Sequence, residues 1–184
     1  MLVQSALLRV LAAAVLVLDI VASMAAKRID SCDGVVPRTL QLAIKQHYPD
    51  LEVVTLAMLT KQAEKLYRKS SGQGCPGITK VDFFGDGSET YALVLTKKSG
   101  SSNKSSLMLA TRKASQQWEF TVVEADVEDA PPVVLTKPPG EFADVYGDKT
   151  LRSDHEAILF VGYESWAIVY AWNGKAIDKV WLSD

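Results

Sequence analysis

Apolar and polar positions alternate with two different periods along the chain. Over residues 35–47 the apolar side chains recur every three or four positions, which is the period of one helix face. Pro37 near the start and Pro49 beyond the end of this run are typical of helix boundaries. A second apolar stripe predicts a helix over residues 60–69, and residues 51–56 between the two fit a short strand or an extended link.

Further along the chain the apolar residues alternate with a period of two, which indicates β-strands. The links between these runs are short and polar. Asn173-Gly174 is the strongest hairpin signal, because both residue types accept the positive φ of a tight turn. The runs 157–161 and 166–170 are apolar on both faces, so both faces should be covered. Strands are predicted over residues 79–84, 90–97, 105–112, 118–123, 133–136, 156–163, 166–172 and 175–182.

The order of these elements predicts the fold class. Two helices followed only by strands are typical of an α+β protein, here with two N-terminal helices packed on a curled antiparallel β-meander of about seven or eight strands. Residues 26–184 have the size of a single domain, with a helical part at 35–70 and a sheet part at 78–184. A complete β-propeller is excluded, because the chain has too few strands for several blades.

One stretch has features of ligand chemistry. The run Asp82-Phe83-Phe84-Gly85-Asp86-Gly87, followed by Tyr91-Ala92, resembles the D-F-N-G-D-G-x-x-D-Y-A block of FG-GAP and VCBS-type repeats. Those repeats occur in many exported bacterial proteins, where the acidic turn often holds calcium. The resemblance covers residues 81–95 of a 184-residue chain, so it implies a local motif and not a whole fold.

The acidic turn has two interpretations. Asp82 and Asp86 take the first and fifth positions of the D-x-[DN]-x-[DN]-G calcium loop, and Glu89 is a candidate third ligand. Calcium prefers such carboxylate oxygens, but Phe84 stands where the loop has its middle Asp or Asn. The interpretation that the residues favour is that Asp86-Gly87 is a plain hairpin turn, because two carboxylates are too few for a calcium loop. No cofactor is therefore expected, and calcium is the one candidate if the turn does bind a ligand.

The amino-terminal region predicts export. Residues 1–25 have a weakly positive start at Arg9 and an apolar run over 10–24, as a secretory signal does. This run is shorter than the roughly 20 residues that cross a bilayer. We expect cleavage after Ala25 or Ala26, which leaves no stable membrane span, with an uncleaved anchor as the alternative. The protein should be periplasmic or extracellular.

The cysteine content and the net charge restrict the compartment and the partners that this protein can have. The chain has two cysteines, Cys32 and Cys75, and an even count in an exported protein predicts one disulfide. The formal net charge is −2 at pH 7, and no basic stripe is present. Nucleic-acid binders need such a stripe, so nucleic acid is excluded as a partner.

Catalytic chemistry has little support in the sequence. Only His47 and His155 could serve as a general base, and there is no G-x-S-x-G nucleophile elbow. His155 is flanked by carboxylates in Asp154-His155-Glu156, a polar tripeptide of the kind common in solvated loops. Zinc-ligand spacings are absent from the sequence. A cell-envelope hydrolase that uses Asp82, Asp86 or His155 therefore stands as the alternative function.

The carboxy-terminal tryptophans are the remaining candidates for binding. Trp166, Trp172 and Trp181 fall on strands around the Asn-Gly turn, where cross-strand packing is the ordinary role. An exposed aromatic platform for a protein or glycan partner is the functional alternative. The sequence thus favours an exported, non-enzymatic binding domain. An inhibitor of an extracytoplasmic enzyme or toxin is a further alternative.

Overall fold

The computed structural model describes residues 32, 34–71, 74–97, 104–128, 130–163 and 165–184. The predicted export signal over residues 1–25 lies outside these residues. Within them the chain forms helices α1 (Arg38–His47) and α2 (Lys61–Ser71) and a short 3₁₀ turn (Leu56–Met58). The strands are β1 (Leu51–Val53), β2 (Ile78–Lys80), β3 (Thr90–Lys97), β4 (Lys104–Arg112), β5 (Trp118–Glu128), β6 (Val133–Lys137), β7 (Gly140–Ala143), β8 (Thr150–Ser153), β9 (Ala157–Gly162), β10 (Trp166–Trp172) and β11 (Ile177–Ser183).

The predicted fold class, α+β with two N-terminal helices packed on one curled meander, is wrong. The described residues form a mostly β protein with eleven strands in three antiparallel sheets, and its first helix begins only at Arg38. The prediction failed because a meander requires consecutive strands to pair. Instead β6 pairs with β9, and β7 and β8 between them form a separate two-stranded sheet.

The first sheet is organised by β3. Its strand order is β1–β3–β4–β5, and β2 lies beside β1 on the same edge of β3. Leu51 of β1 lies opposite Lys97, whereas Lys80 of β2 lies opposite Tyr91. One long apolar strand therefore positions two short ones. The second sheet has the order β11–β10–β9–β6.

The predicted hairpin at Asn173-Gly174 connects β10 to β11, and the pairing of these strands confirms it. Gly174 takes a positive φ of 90°, as the turn requires. Asn173 acts differently from the prediction, because its side-chain Oδ1 accepts the N–H groups of Lys175 and Ala176, each at 2.9 Å. The asparagine stabilises the loop as an acceptor and not through positive φ.

The first two sheets pack face to face as a sandwich around a central core, in which Val94 and Phe160 are completely buried. Along one side the sheets are joined, because the N–H of Val134 in β6 donates to the carbonyl of Pro76 just before β2, at 2.9 Å. On the opposite side the sheets end in β5 and β11. We call this second side the open side of the sandwich.

The outer faces of both sheets are covered. Helix α1 packs Leu40 and Ile44 against the outer face of the first sheet, where they meet Leu93. The β7–β8 hairpin covers the outer face of the second sheet, where Leu151 meets Val169. This double covering explains why the strands around residues 157–161 and 166–170 are apolar on both faces.

The predicted disulfide between Cys32 and Cys75 is confirmed. It ties the segment before α1 to the segment before β2, across a sequence separation of 43 residues. In the chain-entropy model a loop of this length stabilises the fold by about 4 kcal/mol. Among the described residues, no helix has the length and apolarity that a membrane crossing needs.

Candidate functional site

The acidic turn follows β2, and a hydrogen bond between the Asp86 side chain and the backbone of Ser88 closes it. Val81 and Phe83 are buried, with 1% and 0% of their surface exposed, whereas Asp82 between them is exposed. Gly85 adopts a positive φ of 67°, a conformation that glycine reaches without strain. Asp86 accepts the N–H of Ser88 through Oδ1 at 2.9 Å, which closes the turn. That backbone hydrogen bond lowers the pKa of Asp86.

The loop between β8 and β9 supports the turn from one side. A Cβ atom placed on Gly85 would lie 2.1 Å from Cε1 of His155, so the imidazole rests directly on this glycine. Glu156 accepts the backbone N–H of Asp82 through Oε2 at 2.7 Å. The structure therefore joins the acidic turn to the Asp154-His155-Glu156 tripeptide, which the sequence presents as separate candidates.

Glu89 has a structural role beside the turn. Its carboxylate accepts a hydrogen bond from Arg112 Nη1 at 3.1 Å and another from the Tyr91 hydroxyl at 3.1 Å. The hydrogen bond from Arg112 is the main cause that lowers the pKa of Glu89. The guanidinium of Arg112 also lies 5.8 Å from the centre of the Trp118 ring. Glu89 thus anchors the ends of β3 and β4.

The predicted calcium ligands are not assembled into one set. Within the described part of the chain, no group of three or more His, Cys, Asp or Glu side chains could hold a metal ion. Asp86 and Glu89 already accept hydrogen bonds from the protein. Phe84, at the middle position of the motif, supplies a ring that packs edge to face on Phe83 at 5.2 Å. In the structure the turn is a nine-residue connection, 81–89, between β2 and β3, and it is held by ring packing and by hydrogen bonds to Asp86 and Glu89.

A cleft opens on the side of the turn that faces the open side of the sandwich. It has a volume of about 370 Å³. We call it the turn cleft, and it is lined by Phe84, Asp86, Ser88, Thr111, Lys113, Glu119, Thr121 and Trp172. The rings of Phe84 and Trp172 meet edge to face with centroids 5.4 Å apart, and both are partly exposed. Lys113 and Glu119 form an ion pair of 2.5 Å at its rim.

A second depression of about 430 Å³ lies on the other flank of the turn. Three carboxylates line it, those of Asp82, Glu89 and Glu156, together with Lys80. None of the described residues that line it is aromatic. Two of its carboxylates are already acceptors for Arg112 and for the Asp82 backbone. The turn cleft is the better candidate, because ligand sites combine aromatic surface with a few polar groups.

The three predicted binding tryptophans occupy different environments. Trp166 and Trp181 lie 6.4 Å apart, and both pack against the central core beside Phe160 and its neighbours. Trp172 also contacts this core, but its ring reaches the turn cleft. All three rings are partly exposed, but Trp172 lines the turn cleft, Trp166 lines a separate depression of about 330 Å³, and Trp181 packs on the neighbouring strand.

Sequence reasoning missed the contribution of the β4–β5 hairpin to the cleft. Lys113 and Glu119 flank a polar turn, where charged residues are ordinarily solvated. Only the strand register of the structure places Glu119 and Thr121 on the core-facing side of β5, opposite Thr111 and Leu109, so the sequence alone carries no signal for them. Polar residues at core-facing positions near a strand end indicate the rim of a site.

No family model, no curated protein and no solved structure matches this chain. The resemblance of residues 81–95 to FG-GAP and VCBS-type repeats therefore stays a prediction made from a local motif.

Proposed function

We propose that this protein is an exported, non-enzymatic binding domain and that the turn cleft is its binding site. The observation that carries the proposal is the position of Trp172 and Phe84. Their partly exposed rings line an open cleft of about 370 Å³ whose other lining groups are polar. Tryptophan concentrates binding energy in interfaces, because its large ring buries much surface with little loss of conformational freedom.

Export is supported by two features at the amino-terminal side of the domain. The apolar segment over residues 10–24 has the composition of a secretory signal. The Cys32–Cys75 disulfide is of a kind that persists in oxidising compartments and is rare in the cytosol. Both features favour a periplasmic or extracellular location.

The contacts of the acidic groups favour binding over hydrolysis. A hydrolase would need Asp82, Asp86 or His155 to act on a substrate. The hydrogen bond from the Ser88 N–H lowers the pKa of Asp86, which disfavours a role as general acid. The His155 ring lies against Gly85 and supports the turn. Asp86 and His155 therefore support the turn that forms one wall of the cleft.

A sedimentation experiment tests the proposal. The full chain, exported with its own amino-terminal segment, is mixed with the insoluble envelope fraction of the cells that export it. We expect saturable binding, weakened about tenfold by Trp172→Ala and by Lys113→Ala. Lys175→Ala, an exposed lysine in the β10–β11 loop outside the cleft, is the matched control and should bind as the unaltered protein does.

Two results would contradict the proposal. One is binding that both cleft substitutions leave unchanged. The other is the release of soluble fragments from the envelope at a rate that Asp86→Asn or His155→Ala abolishes, since that would identify a hydrolase. Lys113→Ala changes an exposed side chain, so the test does not depend on whether Trp172→Ala folds.

A further inference from the structure

We infer that the ligand of the turn cleft is a neutral saccharide, one of whose rings packs on Trp172. This inference rests on the proposed function and adds the chemical class of the ligand. It follows from the aromatic surface, the hydrogen-bonding groups, the balance of charge and the size of the cleft.

The aromatic surface has a fixed orientation. Trp172 stands at the end of β10, where its ring meets Phe84 at an interplanar angle of 76°. Phe84 in turn packs edge to face on the fully buried Phe83. The indole is thus held in place before any ligand arrives. The negative face of an aromatic ring attracts the weakly positive C–H groups that line one side of a sugar ring.

The polar lining offers both kinds of hydrogen-bonding group. The Asp86 and Glu119 carboxylates are acceptors, and the Lys113 ammonium is a donor. Ser88 and Thr121 add hydroxyl groups that both donate and accept. A ligand with many hydroxyl groups can use donors and acceptors together, whereas a hydrocarbon ligand would leave them without partners.

The charges argue for a neutral ligand. Lys113 and Glu119 are 2.5 Å apart, so the rim holds charges of both signs in contact. The lining holds two carboxylates and one ammonium, but Lys113 is paired with Glu119, and Asp86 accepts the Ser88 N–H. A charged ligand of either sign would compete with these contacts and would also meet a like charge, either the Lys113 ammonium or the two carboxylates. Like charges brought together in this way cost binding energy. A neutral polar ligand avoids both penalties.

The size agrees with one or two sugar rings. A volume of about 370 Å³ lies near the lower end of the range for small-ligand pockets. The cleft is open to solvent along the edge strand β5, whose lining residues Glu119 and Thr121 are exposed. Rings on either side of the bound one would therefore stay in solvent, as they do in a saccharide chain held at one position.

Nuclear magnetic resonance tests the inference on the full chain labelled with ¹⁵N. The neutral probes are cellotetraose, maltotetraose and the tetramer of N-acetylglucosamine, and the charged probes are tetralysine and a heparin fragment. We expect one neutral probe to shift the Trp172 indole N–H and the amides of Asp86 and Ser88 saturably. The Trp181 indole N–H should not move, because that ring packs against the core away from the cleft lining.

Substitutions connect the shifts to the cleft. Trp172→Ala should abolish them, and Lys113→Ala should weaken binding about tenfold while leaving the remaining spectrum intact. Lys175→Ala should bind with unchanged affinity. The inference is overturned if no neutral probe shifts the cleft resonances, if the shifts appear elsewhere, or if a charged probe alone produces them.

The sedimentation experiment separates this inference from the proposed function. If envelope binding depends on Lys113 and Trp172 but no neutral saccharide binds, the site stands and the ligand class is wrong. A peptide or another polar partner would then be the ligand. If no neutral saccharide binds and envelope binding does not depend on Lys113 or Trp172, the proposed function fails together with the inference.

Discussion

Two carboxylates of the same strand lie on the open side of the sandwich and have different partners. Glu124 of β5 reaches the second sheet, where it accepts hydrogen bonds from the Tyr170 hydroxyl at 2.6 Å and from Lys179 Nζ at 2.7 Å. Glu119 of β5 instead pairs with Lys113 of its own hairpin. We call the first arrangement the Glu124 bridge. The sheets are tied together at the bridge, whereas beside Glu119 the turn cleft remains.

The difference shows how one edge strand can bond to the opposite sheet at one residue and border an open cleft at another. A carboxylate with partners on the opposite sheet draws the two sheets together through charge-assisted hydrogen bonds. Among the described residues, a carboxylate whose partner lies in its own hairpin, such as Glu119, forms no hydrogen bond to the opposite sheet. Trp172 can then border the cleft, while Tyr170, two positions earlier on the same face of β10, is 2% exposed.

The largest expected loss of stability is at Gly85, in the turn that forms one wall of the cleft. Gly85→Ala should destabilise the fold by about 3 kcal/mol, because the new Cβ would overlap the His155 ring and a positive φ would be forced on alanine. Gly87→Ala is the control, since it shares the positive φ but has open space around it. It should cost about 1 kcal/mol. Urea unfolding of both variants measures the difference, and equal losses would contradict the contact with His155.

The next largest loss of stability distinguishes Glu124 in the bridge from Glu119 at the cleft. Glu124→Ala should lower the free energy of unfolding by about 2 kcal/mol, because it leaves the buried Tyr170 hydroxyl and Lys179 without their acceptor. Glu119→Ala removes an exposed ion pair and should cost about 0.5 kcal/mol or less. Urea unfolding at pH 7 compares the two. Similar losses would mean that the two carboxylates are equivalent and that the comparison fails.

A smaller loss of stability is expected when only the hydrogen bond from the Tyr170 hydroxyl to Glu124 is removed. Tyr170→Phe keeps the buried ring and removes the hydroxyl, so it should cost about 1 kcal/mol. Lys179 still neutralises Glu124 in this variant. Calorimetric unfolding checks the loss. A loss as large as that of Glu124→Ala would place the whole stabilisation of the bridge on this one hydrogen bond.

The smallest effect is a dependence on pH. Burial raises the pKa of Glu124, but the hydrogen bonds from Lys179 and Tyr170 outweigh it and hold the pKa below its usual value. Stability from this group is therefore complete above the ordinary glutamate pKa and is lost as the pH falls below it. Glu124→Gln should lose less stability than the unaltered protein between pH 7 and pH 3. Equal losses in the two proteins would contradict the lowered pKa.

Local elements could be predicted from the sequence with good accuracy. β3 and β10 have the predicted bounds, 90–97 and 166–172, because each is a continuous apolar run limited by polar residues. β7 and β8 were missed, since both are short and mostly polar or exposed. The mixed pattern of such hairpins cannot be told from a loop by periodicity alone.

Of the site, the sequence identified the residues with unusual chemistry. Asp86 and Trp172 were candidates because of residue type and motif, and both line the turn cleft. Lys113 and Glu119 were not, because an ion pair across a hairpin resembles any solvated turn. Only the register of β5 and its distance from β10 make these residues part of a site.

The local features of this protein follow from its amino-acid sequence: the two helical stripes, most of the strands, the Asn173-Gly174 hairpin and the disulfide. Each depends on neighbouring residues or, for the disulfide, on the presence of only two cysteines. Three features arise only in the folded chain: the pairing of β6 with β9, the contact of His155 with Gly85, and the cleft beside Trp172. These features depend on contacts between distant segments, whose partners are selected by packing and hydrogen bonding in the whole fold and leave no periodic signal in the chain.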